Sequence, residues 1–334
     1  MRTYLLAAAG LLVLAASGPA ADPAKGSELP PLPTGVSSFG AVACDGYLYA
    51  YGGHAGKTHS YDTKTVLGTF HRLKLDGGTK WEELPGGPIL QGLNLAAHGG
   101  KVYRVGGMQP RNAPGEPADN HSLAACAAFD PKAGKWEDLP ALPAPRSSHD
   151  VLAVGDKLVV VGGWNMRGKG SAPEWHSTSL VLDLAAAKPE WKSVPQPFKR
   201  RALTAAAVGE KVYVLGGLGA DGGDRRADVL DVPTGKWTEG PALPGADRVA
   251  FSPAACTAGG KLLVHTSEGP LYRLTTAGDG WEKVGAASKG RIVARLVPLG
   301  PDRVALVGGV AGGANAAALE VLPVAARGEP VGRR

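Results

Sequence analysis

The sequence predicts an all-β fold in which six small four-stranded sheets stand side by side around one axis and close into a disc. Three observations predict it. Paired glycines recur at Gly52-Gly53, Gly106-Gly107, Gly162-Gly163, Gly216-Gly217 and Gly308-Gly309, with the first three intervals 54, 56 and 54 residues long. A tryptophan follows most pairs, at Trp81, Trp136, Trp191, Trp237 and Trp281. Short runs of valine, leucine, alanine and tyrosine lie between, separated by turns, as strands buried on both faces require. One such sheet cannot cover its own faces, so it must stack on copies of itself.

The stretch from Pro140 to Trp191 is the best-formed unit. It holds Pro145-Arg146-Ser147-Ser148-His149, an apolar run to Val154, a Gly155-Asp156-Lys157 turn, Leu158 to Val161, the glycine pair, a long polar loop, Ser177 to Asp183, and Trp191. Asp130-Pro131 before Lys135-Trp136 and Leu139-Pro140 after it complete the pattern. Together these residues resemble the kelch repeat, and the resemblance covers nearly the whole chain beyond its N-terminus. It implies a six-bladed kelch-type β-propeller over residues 25–324. It implies little about function, because such propellers serve as enzymes and as binding scaffolds alike.

The elements follow in order. Strands are expected near Phe39–Cys44, Tyr47–Gly52 and Phe70–Leu75 in the first repeat, and near Leu93–Ala97, Lys101–Gly106 and Leu123–Phe129 in the second. The fourth repeat offers Ala202–Val208, Lys211–Gly216, Asp228–Val232 and Trp237. The fifth is degenerate: Lys261–His265 is its second strand, and Thr266-Ser267 replace the glycines. The sixth offers Ile292–Pro298, Arg303–Gly308 and Ala318–Leu322, and reaches no tryptophan. Lys25 to Pro33 matches the Trp136–Pro143 pattern, with Gly26 in the tryptophan's place. The N-terminal strand is therefore expected to supply the outer strand of the last sheet and close the ring. Each repeat tryptophan is expected to fill the space between adjacent sheets.

Composition sets the outer bounds. Residues 1–20 read as a secretory signal peptide: Arg2, an apolar stretch from Leu5 to Ala16, then small residues ending at Ala20. That stretch is too short to span a bilayer, so export to the periplasm or the extracellular space is expected, with no transmembrane anchor. Residues 325–334 read as a polar, disordered tail. The formal charge of +6 is mild for 334 residues and forms no basic stripe, which disfavours nucleic-acid binding. Three cysteines, Cys44, Cys126 and Cys256, show no convincing pair and read as buried thiols. No metal-ligand spacing, phosphate loop or nucleophile elbow occurs, so no cofactor or metal is expected.

Loop lengths locate the working surface. From tryptophan to the next glycine pair the spacing is nearly constant, whereas from glycine pair to tryptophan it varies. The variation falls between the second and third strands, on the same side as the connections between sheets, and points to one working face around the channel mouth. Connections between sheets carry Arg146, Arg201, Arg248 and Arg291, candidates for binding an anion; the alternative is that the Pro-Arg arginine braces a neighbouring loop. The long loop of the third repeat carries Trp164 and Trp175, which either stack on a sugar or pin the loop down. A glycan or protein ligand is the implied partner. A distant resemblance to periplasmic sialic-acid mutarotases implies a second reading, in which Glu174, His176, His121 or Glu268 moves protons at the anomeric centre.

Overall fold

The computed structural model describes residues 29–324. Six sheets surround one axis, each meandering outward from its first strand. The first blade holds Gly40–Cys44, Tyr47–His54, Val66–Lys74 and Glu82–Leu84; the third holds Asp150–Val154, Lys157–Val161, Thr178–Asp183 and Trp191–Pro195. The second, fourth and fifth repeat this plan. The sixth has three strands among the described residues, Arg295–Pro298, Arg303–Val307 and Leu319–Pro323. The first strands follow one another around the axis and close the circle. One turn of 3-10 helix, Asp247–Ala250, is the only helical element described. Loops expected to be irregular instead form two-stranded hairpins at the rim, such as Met108–Pro110 with Asn120–Ser122 and Trp164–Asn165 with Glu174–Trp175.

The core is divided into six apolar clusters, one at each junction between blades. Each repeat tryptophan belongs to one of them: Trp81, Trp136, Trp191, Trp237 and Trp281. They lie half-buried across the outer end of the junction rather than inserted in its middle. Four indoles donate to the proline carbonyl of the preceding blade: Trp136 to Pro85, Trp191 to Pro140, Trp281 to Pro241 and Trp81 to Pro30. The Leu-Pro step and the tryptophan are thus two halves of one lock.

Two sets of main-chain bonds complete the ring. The second glycine of each pair donates to the blade ahead: Gly53 to Leu90, Gly107 to Arg146, Gly163 to Arg200, Gly217 to Ala250 and Gly309 to Val36. Glycine is required there; at Gly163 φ is 90°, and a Cβ would stand 2.7 Å from the Ser147 carbonyl oxygen. Nearer the axis, one residue per blade holds a positive φ: Ser38, Gly92, Ser148, Ala202, Ser252 and Val293. Their backbones form a collar. Ser38 donates to Val293, Gly92 to Ser38, Ser148 to Gly92, Ala202 to Ser148 and Ser252 to Ala202, all at 2.7–3.0 Å. A left-handed backbone costs a non-glycine residue about 1–2 kcal/mol, a cost these bonds offset.

Ring closure rests on the first described residues. Leu32 donates to the Ala317 carbonyl, as Leu142 does to Ala124 within the second blade, and Trp81 finds Pro30. The segment 29–32 therefore occupies the place that follows an outer strand in the last blade. The expected outer strand itself falls largely on residues 25–28, outside the described residues, as do the signal peptide at 1–20 and the tail at 325–334. All three cysteines are free and buried.

The indole lock gives a measurable expectation. Trp136→Phe keeps most of the apolar cover but loses the bond to Pro85, and should cost about 1 kcal/mol in urea unfolding. Trp136→Ala should cost about 3 kcal/mol, near the low end for a large aromatic because the ring is half-buried. A wild-type unfolding midpoint in Trp136→Phe would show that the bond contributes nothing.

Candidate functional site at the channel mouth

In five of the six blades the residue before the collar position, at the mouth, is paired through its backbone with the residue after the glycine pair. Ser37 pairs with His54, Gln91 with Met108, Ser147 with Trp164, Arg201 with Leu218 and Ile292 with Val310. Two of these side chains reach the preceding blade. Ser147 Oγ meets Ser122 Oγ at 2.7 Å. The Arg201 guanidinium lies 4.0 Å above the Trp164 ring and 5.9 Å from that of Trp175. The two indoles meet edge to face at 5.6 Å.

Arg201 is half-buried, and its Nε is shut away from solvent without a hydrogen-bond partner. Burial lowers its pKa, and the one titratable group acting against this is the Tyr61 phenol on the loop of the first blade. Tyr61 is itself raised by burial, with the Arg201 charge and the Gln91 amide opposing. Tyr61 packs edge-on against His54 at 4.7 Å, and Asn112 of the second blade donates to its carbonyl. Arg201, Trp164, Trp175, Tyr61 and Gln91 thus form one wall, drawn from four blades. Of these, Tyr61 and Gln91 were not legible from the sequence. Nothing but the repeat alignment placing Gln91 one residue before a collar position would have found it.

The remaining sequence candidates are placed elsewhere. Arg146 and Arg291 lie two residues before the collar, where the side chain turns into its own blade. Arg146 donates to the carbonyls of Gly162 and Thr178, both at 2.8 Å, and Arg291 to those of Gly308 and Ala318. Both are almost fully buried. Their geometry is that of braces, not of groups aimed at the axis. The true equivalent in the fourth blade is Arg200, which donates to Gly216 and Arg226 and is ion-paired with Asp228. The spacing could have revealed this, since Arg146 and Arg200 each precede the first glycine by 16 residues.

Arg248 and Glu268 pair with each other at the rim of the fifth blade. His176 is buried with Nε2 against the Pro145 carbonyl at 3.0 Å. His121 is bonded to Asp119 at 2.8 Å, and the same Asp119 oxygen accepts from the Lys169 amide, which ties the loops of the second and third blades together. Glu174 is exposed on the hairpin beside Trp175. No group of three His, Cys, Asp or Glu side chains is placed to hold a metal among the described residues.

Beneath the collar the channel is blocked by a polar layer. Arg295 reaches across it to the carbonyls of Phe39 and Leu93. Asp150 accepts from Asn94, Val151, Ala205 and Thr204. Below this layer a well of about 250 Å3, rich in alanine, opens on the opposite face. A larger open crater, about 490 Å3, lies at the rim of the fourth blade, where Arg225 pairs with Asp247 and Arg226 with Asp224. Its charges largely neutralise one another, so the mouth carries the stronger chemical signal.

The architecture and its repeated locks define the chain as a six-bladed β-propeller of the kelch type. The family described as the Kelch motif matches residues 199–244. Kelch-like protein 7 of Rattus norvegicus is 33% identical over 118 residues, which is 34% of this chain and 18% of that protein. Kelch-like protein terF of Aspergillus terreus is 21% identical over 261 residues, 74% of this chain and 54% of that protein. These matches therefore span only part of each relative's length. The solved structure titled "Structure of YjhT" superposes with a TM-score of 0.72 at 16% identity, covering 90% of this chain and 97% of that one, a likeness of fold. No helix among the described residues is long and apolar enough to cross a membrane.

Buried histidines give the fold a pH signature. Burial, helped by Arg146, pushes His149 down to about 3 and His176 to about 4; burial and then Arg291 push His265 to about 4. The unfolded chain binds these protons near pH 6.5 and the folded chain does not. Stability should therefore be complete above about pH 6.5 and fall with a slope approaching three protons as pH drops toward about 4. Urea unfolding across that window tests this; a flat profile would refute it.

Proposed function

We propose that this kelch propeller binds an anionic ligand, glycan or protein, at the channel mouth, with Arg201 as its anchor. The observation that carries the reading is a half-buried guanidinium stacked 4.0 Å above Trp164 with no carboxylate in contact. Such a cation has lost part of its hydration without gaining a counter-charge. A carboxylate, sulfate or phosphate supplies one through charge-assisted, often bidentate hydrogen bonds. The faces of Trp164 and Trp175 suit the apolar side of a sugar ring, which favours an anionic sugar. Export through residues 1–20, to the periplasm or beyond, belongs to the same proposal.

The mutarotase reading has less support. His121 and His176 are engaged in hydrogen bonds that hold loops, and Glu268 is paired with Arg248. This leaves Glu174 alone as an uncommitted carboxylate near the indoles. Proton NMR of freshly dissolved sialic acid decides it: anomer exchange no faster than in buffer removes this reading.

Binding is tested by tryptophan fluorescence with acidic and neutral sugars. Arg201→Gln should weaken an acidic ligand roughly 10- to 100-fold, the worth of one or two hydrogen bonds to a charged group. Trp164→Phe should remove most of the optical change. Full affinity in Arg201→Gln would move the site elsewhere.

A further inference from the structure

Three kinds of hydrogen bond tie neighbouring blades together, and among the described residues one junction lacks all three. Collar bonds join every pair of neighbours except the fifth and sixth, where Val293 does not donate to Ser252. Second-glycine bonds have the same single gap: Thr266-Ser267 stand in place of the pair, and among the described residues the Ser267 amide makes no bond to the sixth blade. Tryptophan locks are present at four junctions. Trp237, between the third and fourth blades, has no partner for its indole nitrogen, yet that junction keeps its other two bonds. At the fifth–sixth junction the apolar cluster contains no tryptophan.

What stands in for the missing bonds is a histidine. The residue just before the glycine pair is a buried hydrophobic one in the other blades: Tyr51, Val105, Val161, Leu215 and Val307. In the fifth it is His265, fully buried, whose Nε2 accepts the Arg291 amide at 3.4 Å. Its Nδ1 has no partner. Among the described residues the charged group facing the imidazole is Arg291, and Glu320 lies on the far side of that guanidinium.

We propose that the ring opens reversibly at the junction between the fifth and sixth blades, with the His265–Arg291 contact as an acid-sensitive latch. A proton on Nε2 removes the acceptor for the Arg291 amide. It also sets a second buried positive charge beside the Arg291 guanidinium. Burial holds the imidazole neutral while the junction is shut, and opening lets it take up the proton, so acid favours the open form. The junction borders the side of the mouth where the loops are short. Opening there widens access to the mouth and to the core between the two blades, while the other five junctions stay closed.

The chain carries its own probes. Cys256 lies in the apolar cluster of this junction, Cys44 in that of the first and second blades, and Cys126 in that of the second and third. Burial raises the Cys256 thiol furthest, whereas Cys44 and Cys126 are pushed to about 11. In a ring that stays shut exposure gives Cys256 no advantage, at 7% against 8% for Cys44 and 2% for Cys126. The intact protein is treated with dithiodipyridine, which reacts with thiols in mild acid, and each cysteine is followed by peptide mass spectrometry.

An opening junction makes Cys256 the fastest, and its rate relative to Cys44 and Cys126 rises about threefold or more from about pH 7 to about pH 5. In His265→Leu, which installs the residue type found at Leu215, that rise disappears. Wild-type rates decide the matter alone should the variant fold poorly. The proposal is overturned if Cys256 is the slowest or if the three cysteines keep pace. It is equally overturned if Cys256 is fast but indifferent to pH, because entry through the alanine-lined well would then account for it.

Discussion

The collar of main-chain hydrogen bonds at the mouth is the constraint on which the rest of the propeller depends. Each collar residue adopts a backbone conformation that only glycine takes freely, and five of the six are not glycine. That arrangement holds because each collar amide but one is bonded to a neighbouring blade. Once the collar is closed, the direction of every nearby side chain is determined. One residue earlier faces the mouth, two residues earlier turns into the blade, and two residues later enters the channel. Asn94, Asp150, Thr204 and Arg295 take that last position and block the channel, which makes the mouth a floored cup rather than a pore.

This parity sorts the arginines. Arg146, Arg200 and Arg291 occupy the inward position and bond the carbonyl of the first glycine of their own pair, so the glycine turn and the arginine support one another. Arg201 is one residue further along and emerges on the wall. There the hairpin of the third blade supplies two indoles, and the guanidinium stacks on them. A single step along the chain thus separates a brace from a group able to meet a ligand. The regular elements make the cup rigid, and the unequal hairpins above it give each side of the mouth its own chemistry.

Much of this was legible in the sequence because repetition amplifies weak signals. A glycine pair or a tryptophan alone says little, but five of each, the first four glycine pairs 54 to 56 residues apart, identify the second and outer strands. In the first, second and fourth repeats most strand ends fall within two residues of expectation, but the third strand starts four residues earlier in the first repeat and three later in the second. The hairpins at the rim were not legible, since short polar loops carry no periodicity. Nor was the tryptophan's true position: size suggested a filler between sheets, whereas the ring is a half-buried lid fixed by a proline carbonyl. The proline was visible all along in each Leu-Pro step, but its partner lies about fifty residues ahead and is brought near only by stacking.

The sequence by itself determined the number of blades, their strand order and the side on which the variable loops gather. These follow from local periodicity and turn chemistry, which repeat in every unit. The tertiary structure alone decided which arginine reaches the mouth, that His121 joins two loops, and that among the described residues one junction of six lacks the three hydrogen bonds repeated at the others. Those outcomes depend on pairings between residues far apart in the chain, and on a backbone turn that shifts side-chain direction by a single residue. Apolar patterning along one strand leaves such choices open, and closure of the ring makes them.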